Sequence, residues 1–149
     1  MKIRLLITAV IPLLLLGCDM NDLFDKGDVE REYDGPPVVA LFPLQQEVSA
    51  EAGVAAVEVQ LIGEQRGSDL EASFSVNEEA STAEAGEHYN MASGSPVTIE
   101  AGESTADVVI ELLEVAAGEE VMLVLDLEGA SDGVEASENL KQATLFITE

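Results

Sequence analysis

Past residue 37 the chain alternates apolar and polar residues with a period of two, the pattern of strands buried on one face only. Within 56–62, Val57, Val59 and Leu61 point one way while Glu58 and Gln60 point the other. Within 70–76, Leu70, Ala72, Phe74 and Val76 alternate with Glu71, Ser73 and Ser75. The same pattern returns in 105–112 (Ala106, Val108, Ile110, Leu112), in 121–127 (Val121, Leu123, Leu125, Leu127) and in 143–148 (Ala143, Leu145, Ile147). Two shorter segments, Val38 to Phe42 with a continuation near Val48, and Val97 with Ile99, bring the predicted set to seven strands. No stretch in this region sustains a 3.6-residue period, so helices are not expected. Seven short alternating strands predict an all-β fold: a seven-stranded antiparallel immunoglobulin-like sandwich over 38–149. Phe42 and Phe74 are expected to face inward and Phe146 outward. The segment 128–142 is expected to be a long surface loop, open to protein contact.

The first 37 residues follow different rules. Lys2 and Arg4 precede an apolar run from Leu5 to Leu16 that is too short to span a bilayer, and Gly17 and Cys18 follow. This is the tripartite pattern of a secretory signal. Residues 19–37 hold seven acids and two cations, show no sustained apolar period and close on Gly35, Pro36 and Pro37. Such a segment reads as a solvated tether kept extended by its own charge.

Leu15-Leu16-Gly17-Cys18 resembles the lipobox of bacterial lipoproteins. That resemblance implies cleavage before Cys18, acylation of its thiol and new amine, and a signal peptide over 1–17 followed by a lipidated linker over 18–37. Cys18 is the sole cysteine, and its structural alternative, a buried thiol in an exported protein, has little support. Several acyl chains on one residue anchor stably where one does not. The membrane, reached through lipid, is thus the first partner, and the address is the cell envelope. Asp19 resembles an inner-membrane retention signal, whereas acids soon after the cysteine resemble surface-export signals; the outer membrane or cell surface is the favoured expectation.

Charge narrows the remaining partners. The chain carries −24, with six Lys and Arg against thirty Asp and Glu. Nucleic acid and anionic headgroups are repelled by such a surface, while cations are attracted. Evenly spread carboxylates also serve solubility and tolerance of salt.

Thr82-Ala83-Glu84-Ala85-Gly86-Glu87-His88-Tyr89 resembles a pattern of the Calx-β domains, Thr-Ala, two variable residues, Gly, one variable residue, Asp-Tyr. Val97-Thr98-Ile99, the Gly102-Glu103 turn and the strand ending at Leu112 follow in that family's order, and Val48 to Gly53 resembles its first strand and Glu-containing turn. The resemblance implies a sandwich whose loops at one end bind calcium through carboxylates. Glu51, Glu87 and Glu114 are the residues it places there. Two departures oppose a tight site: His88 replaces the motif Asp, and Leu113-Glu114-Val115 replaces consecutive aspartates. Calcium takes six to eight oxygen ligands, so weak cation condensation is the expected residue of that function. The resemblance also associates such domains with bacterial envelope lipoproteins, some beside glycan-uptake systems.

Catalysis is not expected. His88 is the sole histidine and lacks the partners of a triad or a metal cluster. Carboxylates abound, but they fall mainly on the outward strand phase, where nothing raises a catalytic acid's pKa. Tyr89 is expected to bury its ring and bond its hydroxyl to backbone. With no Trp, two Tyr and four Phe, the chain shows no platform of rings for sugars. The expected role is a membrane-anchored structural or protein-interaction module with an envelope protein as partner. A surface glycan-binding accessory protein and a degenerate calcium-binding domain are the alternatives.

Overall fold

A computed structural model describes residues 33–149, which form one compact unit beginning at Tyr33. The expected signal, Cys18 and most of the expected tether lie outside the described residues.

Ten strands follow one another: β1 (Val38–Phe42), β2 (Gln45–Ser49), β3 (Val54–Ile62), β4 (Leu70–Val76), β5 (Tyr89–Met91), β6 (Val97–Ile99), β7 (Thr105–Leu112), β8 (Glu120–Ala130), β9 (Glu135–Ala136) and β10 (Gln142–Thr148). They make two five-stranded sheets, ordered β5-β7-β3-β1-β9 and β2-β10-β8-β4-β6. The core lies between them. Val57, Val59, Val108 and Ile110 of the first sheet meet Leu123, Leu125, Leu145 and Ile147 of the second, all fully buried or nearly so. These are the inward residues of the period-two pattern, and their burial is the main favourable term of the fold.

The all-β sandwich expected from the pattern is present, but its strand count and pairing differ. The single strand expected from Val38 toward Val48 is two. β1 pairs antiparallel with β3 in the first sheet; after Phe42-Pro43 the chain crosses over, and β2 pairs with β10 in the second sheet. The β2–β10 pairing is parallel, as is the short β1–β9 pairing, so the sheets are not purely antiparallel. A hydrophobic pattern reports which residues are buried but not which neighbour their backbone bonds, so a strand that changes sheets reads as continuous.

Phe42 is a second correction. It is 58 % exposed, on the outward phase with Val38 and Ala40, whereas Val39 and Leu41 are buried. Every residue of Val38–Phe42 is apolar, so the alternation has no polar phase to identify the outer face.

The segment expected as a long loop after Leu127 is largely structured. β8 continues to Ala130, a 3-10 turn covers Ser131–Gly133, and β9 lies along β1. Three interactions fix it: Arg66 pairs with Asp132 at 2.7 Å, Glu71 N–H donates to Ser131 Oγ, and Ser137 N–H donates to Val39 O. Gly129 enables the turn back, because its φ is +131° and an added Cβ would lie 3.2 Å from Val134 O.

Strand direction sets the poles of the sandwich. The chain enters where Val38 pairs with Ile62, and Tyr33 folds over Gly35 there, its hydroxyl donating to Pro36 O. β3, roughly 30 Å long at about 3.3 Å per residue, starts at the opposite pole beside Leu112. The last strand ends at that far pole too, where Ser49 Oγ donates to Glu149 O.

Candidate functional site

The segment resembling the Calx-β pattern, between β4 and β5, has a local structural logic. Beyond Val76 the chain stays beside β8, yet it departs from a regular ladder. Side-chain oxygens fill the gaps. Val124 N–H donates to Ser81 Oγ (2.9 Å) and Met122 N–H to Thr82 Oγ1 (2.8 Å), while Thr82 N–H and Ala83 N–H return bonds to Met122 O. Asn77 closes the start of the segment, donating to Asp126 Oδ2 and accepting from Ala80 N–H. Gly86 then turns the chain at φ +81°, where residues with a Cβ are strained, and its N–H donates to Tyr89 O.

That turn delivers Glu87 and His88 to the far pole. There Glu51, on the 3-10 turn Ala50–Ala52 capped by Ser49 Oγ, and Glu114, just after β7, line one open cleft of about 970 Å³ together with Glu87. The three acids singled out in the sequence therefore share a surface. Glu119 and Glu149 border it as well, and sequence reasoning missed them. The available signal was topological: one precedes β8 and the other follows β10, at the ends that meet the same pole.

Proximity does not make a cation site. Among the described residues no three His, Cys, Asp or Glu side chains converge as metal ligands. His88, at the motif's Asp position, is committed elsewhere. Its Nδ1 accepts from Glu84 N–H at 3.0 Å, and the backbone N–H of His88 donates to Glu84 O. A neutral imidazole that accepts at Nδ1 carries its proton on Nε2, which leaves no lone pair for a metal. With a histidine in that state and scattered monocarboxylates, the residues present do not fit the six to eight oxygens calcium requires.

Tyr89 is buried at 4 % exposure and pairs across from Leu112, as expected for a core ring. The expected bond from its hydroxyl to backbone is not formed among the described residues. Instead the side chain lines a cleft of about 440 Å³ with Val76, Glu78 and Thr82. Burial raises its pKa above the ordinary tyrosine value, and the nearby Glu78 carboxylate adds to the rise, since both disfavour a phenolate.

Charge is distributed unevenly along the long axis. The only cations among the described residues are Arg66, after β3, and Lys141, before β10, and both lie toward the pole where the chain enters. The far half of the domain is acidic without internal compensation.

Comparison with models of known protein families finds no match, and none of the curated proteins is similar. Solved structures are. The CBD1 domain of Calx in its apo form superposes with a TM-score of 0.63 at 19% identity, covering 75% of this chain and 96% of that one. The Calx CBD2 domain gives 0.61 at 16% identity over 74% of this chain and 85% of that one. The calcium binding domain CBD12 of CALX1.1 gives 0.62 at 19% identity; 74% of this chain covers 43% of it, so the match spans less than half of that longer chain. A two-domain protein of unknown function from Bacteroides fragilis gives 0.53 at 11% identity over 75% of this chain and 45% of that one. At such identities the likeness concerns the fold, and it agrees with the motif order along 38–149: the described part of this chain is a Calx-β-like sandwich.

Proposed function

We propose that the chain is an exported lipoprotein of the bacterial cell envelope, held to a membrane by acyl groups on Cys18. Its sandwich acts as a non-catalytic module for protein contact or support. The observation that carries this reading is the order of parts: a charged start at Lys2 and Arg4, the apolar run Leu5 to Leu16, Gly17-Cys18, an acid-rich tether, and then a sandwich with its own core. The address is the outer membrane or cell surface, and the partner is an envelope protein. Nucleic acid is disfavoured by the acidic surface. Catalysis is no part of the proposal, which agrees with the likeness to calcium-binding domains rather than to an enzyme. Calcium is not included either, because His88 and the spread carboxylates do not make its ligand shell.

The test is chemical. Cells fed an alkyne analogue of palmitate should label the wild type and not Cys18→Ser, and mass spectrometry should find a mature N-terminus at an acylated Cys18. Label retained by Cys18→Ser, or an uncleaved, unmodified chain recovered from cytosol, rejects the proposal. Protease treatment of intact cells then separates surface display, where the sandwich is cut or shed, from an anchor facing the periplasm.

A further inference from the structure

Two of the three large exposed apolar residues among those described, Phe42 (58 %) and Val54 (57 %), lie on one outward face of the first sheet. The register connects them. Phe42 sits opposite Glu58 and Val54 opposite Glu111; between them on the same face is exposed Ala56, opposite Val109. The margin here is also open. β1 ends its pairing at Phe42, so the first residues of β3 lose their neighbour on that side. Gly53 O accepts from Leu112 N–H and Leu61 N–H donates to Ser104 O, so odd-numbered residues direct their backbone groups toward β7. Val54 and Ala56 therefore direct theirs toward the side β1 has left. Among the described residues, the hydrogen bond that reaches this stretch is from Gln46 Nε2 to Ala56 O.

Charge identifies the occupant. Glu58, Asp107 and Glu111 flank the apolar strip, and neither Arg66 nor Lys141 lies on this half of the sheet. A second copy would bring the same acids against these, whereas lysine or arginine beside apolar side chains complements them. An unpaired strand margin is the geometry that takes an added strand, and the exposed side chains beside it give apolar contact to alternate residues of that strand. We infer that the strip from Phe42 across Ala56 to Val54 is a docking surface for a basic, extended peptide segment of a partner protein, which adds along the open start of β3. This rests on the interaction-module reading above and names its surface and the chemistry of its partner.

The test uses the full-length protein in neutral detergent and a synthetic nonapeptide alternating lysine with valine and phenylalanine. Fluorescence anisotropy should show saturable binding. The charge-neutral pair Phe42→Ser with Val54→Ser should weaken it ~10-fold or more, because anchors at the centre of a contact dominate its affinity. N-methylation of alternate peptide amides should weaken it similarly by removing ladder hydrogen bonds. Both residues are more than half exposed, so the variant should keep the wild-type circular dichroism spectrum and melting temperature. No binding overturns the inference, as does equal binding by the serine variant or by the methylated peptide, either of which reduces the effect to general attraction by an acidic surface. A concentration-dependent dimer lost in the serine variant assigns the strip to a second copy and also overturns it. Retention on a neutral polysaccharide that depends on Phe42 assigns it to a glycan instead. Acyl labelling at Cys18 is read separately, so these failures leave the envelope-lipoprotein reading standing, and its own failure is visible there.

Discussion

Ser81→Ala isolates the side-chain substitution for a β ladder described above. In the native domain Ser81 Oγ accepts from Val124 N–H at 2.9 Å and donates to Asn77 O at 2.7 Å. Asn77 O retains a partner in the variant, because Ser81 N–H also donates to it at 3.0 Å. Val124 N–H does not, and Val124 is only 3 % exposed, so water has little access to replace the hydroxyl. A buried donor left without an acceptor costs roughly 1–3 kcal/mol, and the middle of that range, about 2 kcal/mol, is the expected loss. For a domain of this size about 1 kcal/mol corresponds to ~4 °C, so the melting temperature should fall ~8 °C. Thr82→Val removes the analogous acceptor of Met122 N–H, but Met122 is half-buried and water can compensate in part, so about 1 kcal/mol is expected. Far-UV circular dichroism against temperature and urea is the assay, with amide hydrogen exchange at Val124 as the local readout. A melting temperature within ~2 °C of wild type, with Val124 still protected from exchange, would refute the reasoning.

Three further outcomes are expected. Gly86→Ala should cost about 1–2 kcal/mol purely through backbone strain, because φ is +81° and nothing lies within 4 Å of an added Cβ; Gly86→Asn should cost less, and equal losses in urea melts would count against a strain origin. The raised pKa of Tyr89 means that the unfolded chain releases this proton first as pH climbs past about 10, so folding stability should decline from there upward; Tyr89→Phe should lessen the decline and Glu78→Gln should lower the pKa measured by ultraviolet titration, while no change in either would remove the stated causes. Twenty-four acids between Tyr33 and Glu149 face only Arg66 and Lys141, so raising sodium chloride from 0.05 to 1 M should raise the melting temperature by several degrees (~5 °C), and a flat or falling curve would show that self-repulsion is not a main destabilising term.

What the sequence discloses about this fold follows from what alternation can encode. Leu70–Val76, Val97–Ile99 and Thr105–Leu112 coincide with their strands because, Val109 apart, polar residues separate the buried ones and turn residues bracket the strands. Val38–Phe42 and Gln45–Ser49 were not separable, since crossing between sheets leaves burial unchanged while replacing every backbone partner. β9, two residues long, is too short for a period to register, and in β5 only Tyr89 is fully buried, since Met91 at the next inward position is half-exposed. Meeting of Glu51, Glu87 and Glu114 at one cleft was legible through the family pattern, because each follows or precedes a strand at a fixed place in its order. The commitment of His88 Nδ1 to Glu84 N–H was not, and neither were the hydroxyls of Ser81 and Thr82 acting as ladder acceptors. These depend on where a side chain points once the loop has closed.

The parallel register of β2 with β10 bears on how the domain answers force. β2 is the first strand of its sheet along the chain and β10 the last, and they run side by side from Gln45 with Thr144 to Ser49 with Thr148. Tension applied between Val38 and Glu149 loads that pair lengthwise, so its rungs must break together rather than peel in turn. Pulling between the termini in an optical trap should therefore require more force than pulling the β6 edge away from β4, where the bonds at Leu70 and Ala72 yield one after another. A sandwich threaded this way resists shear along its own length.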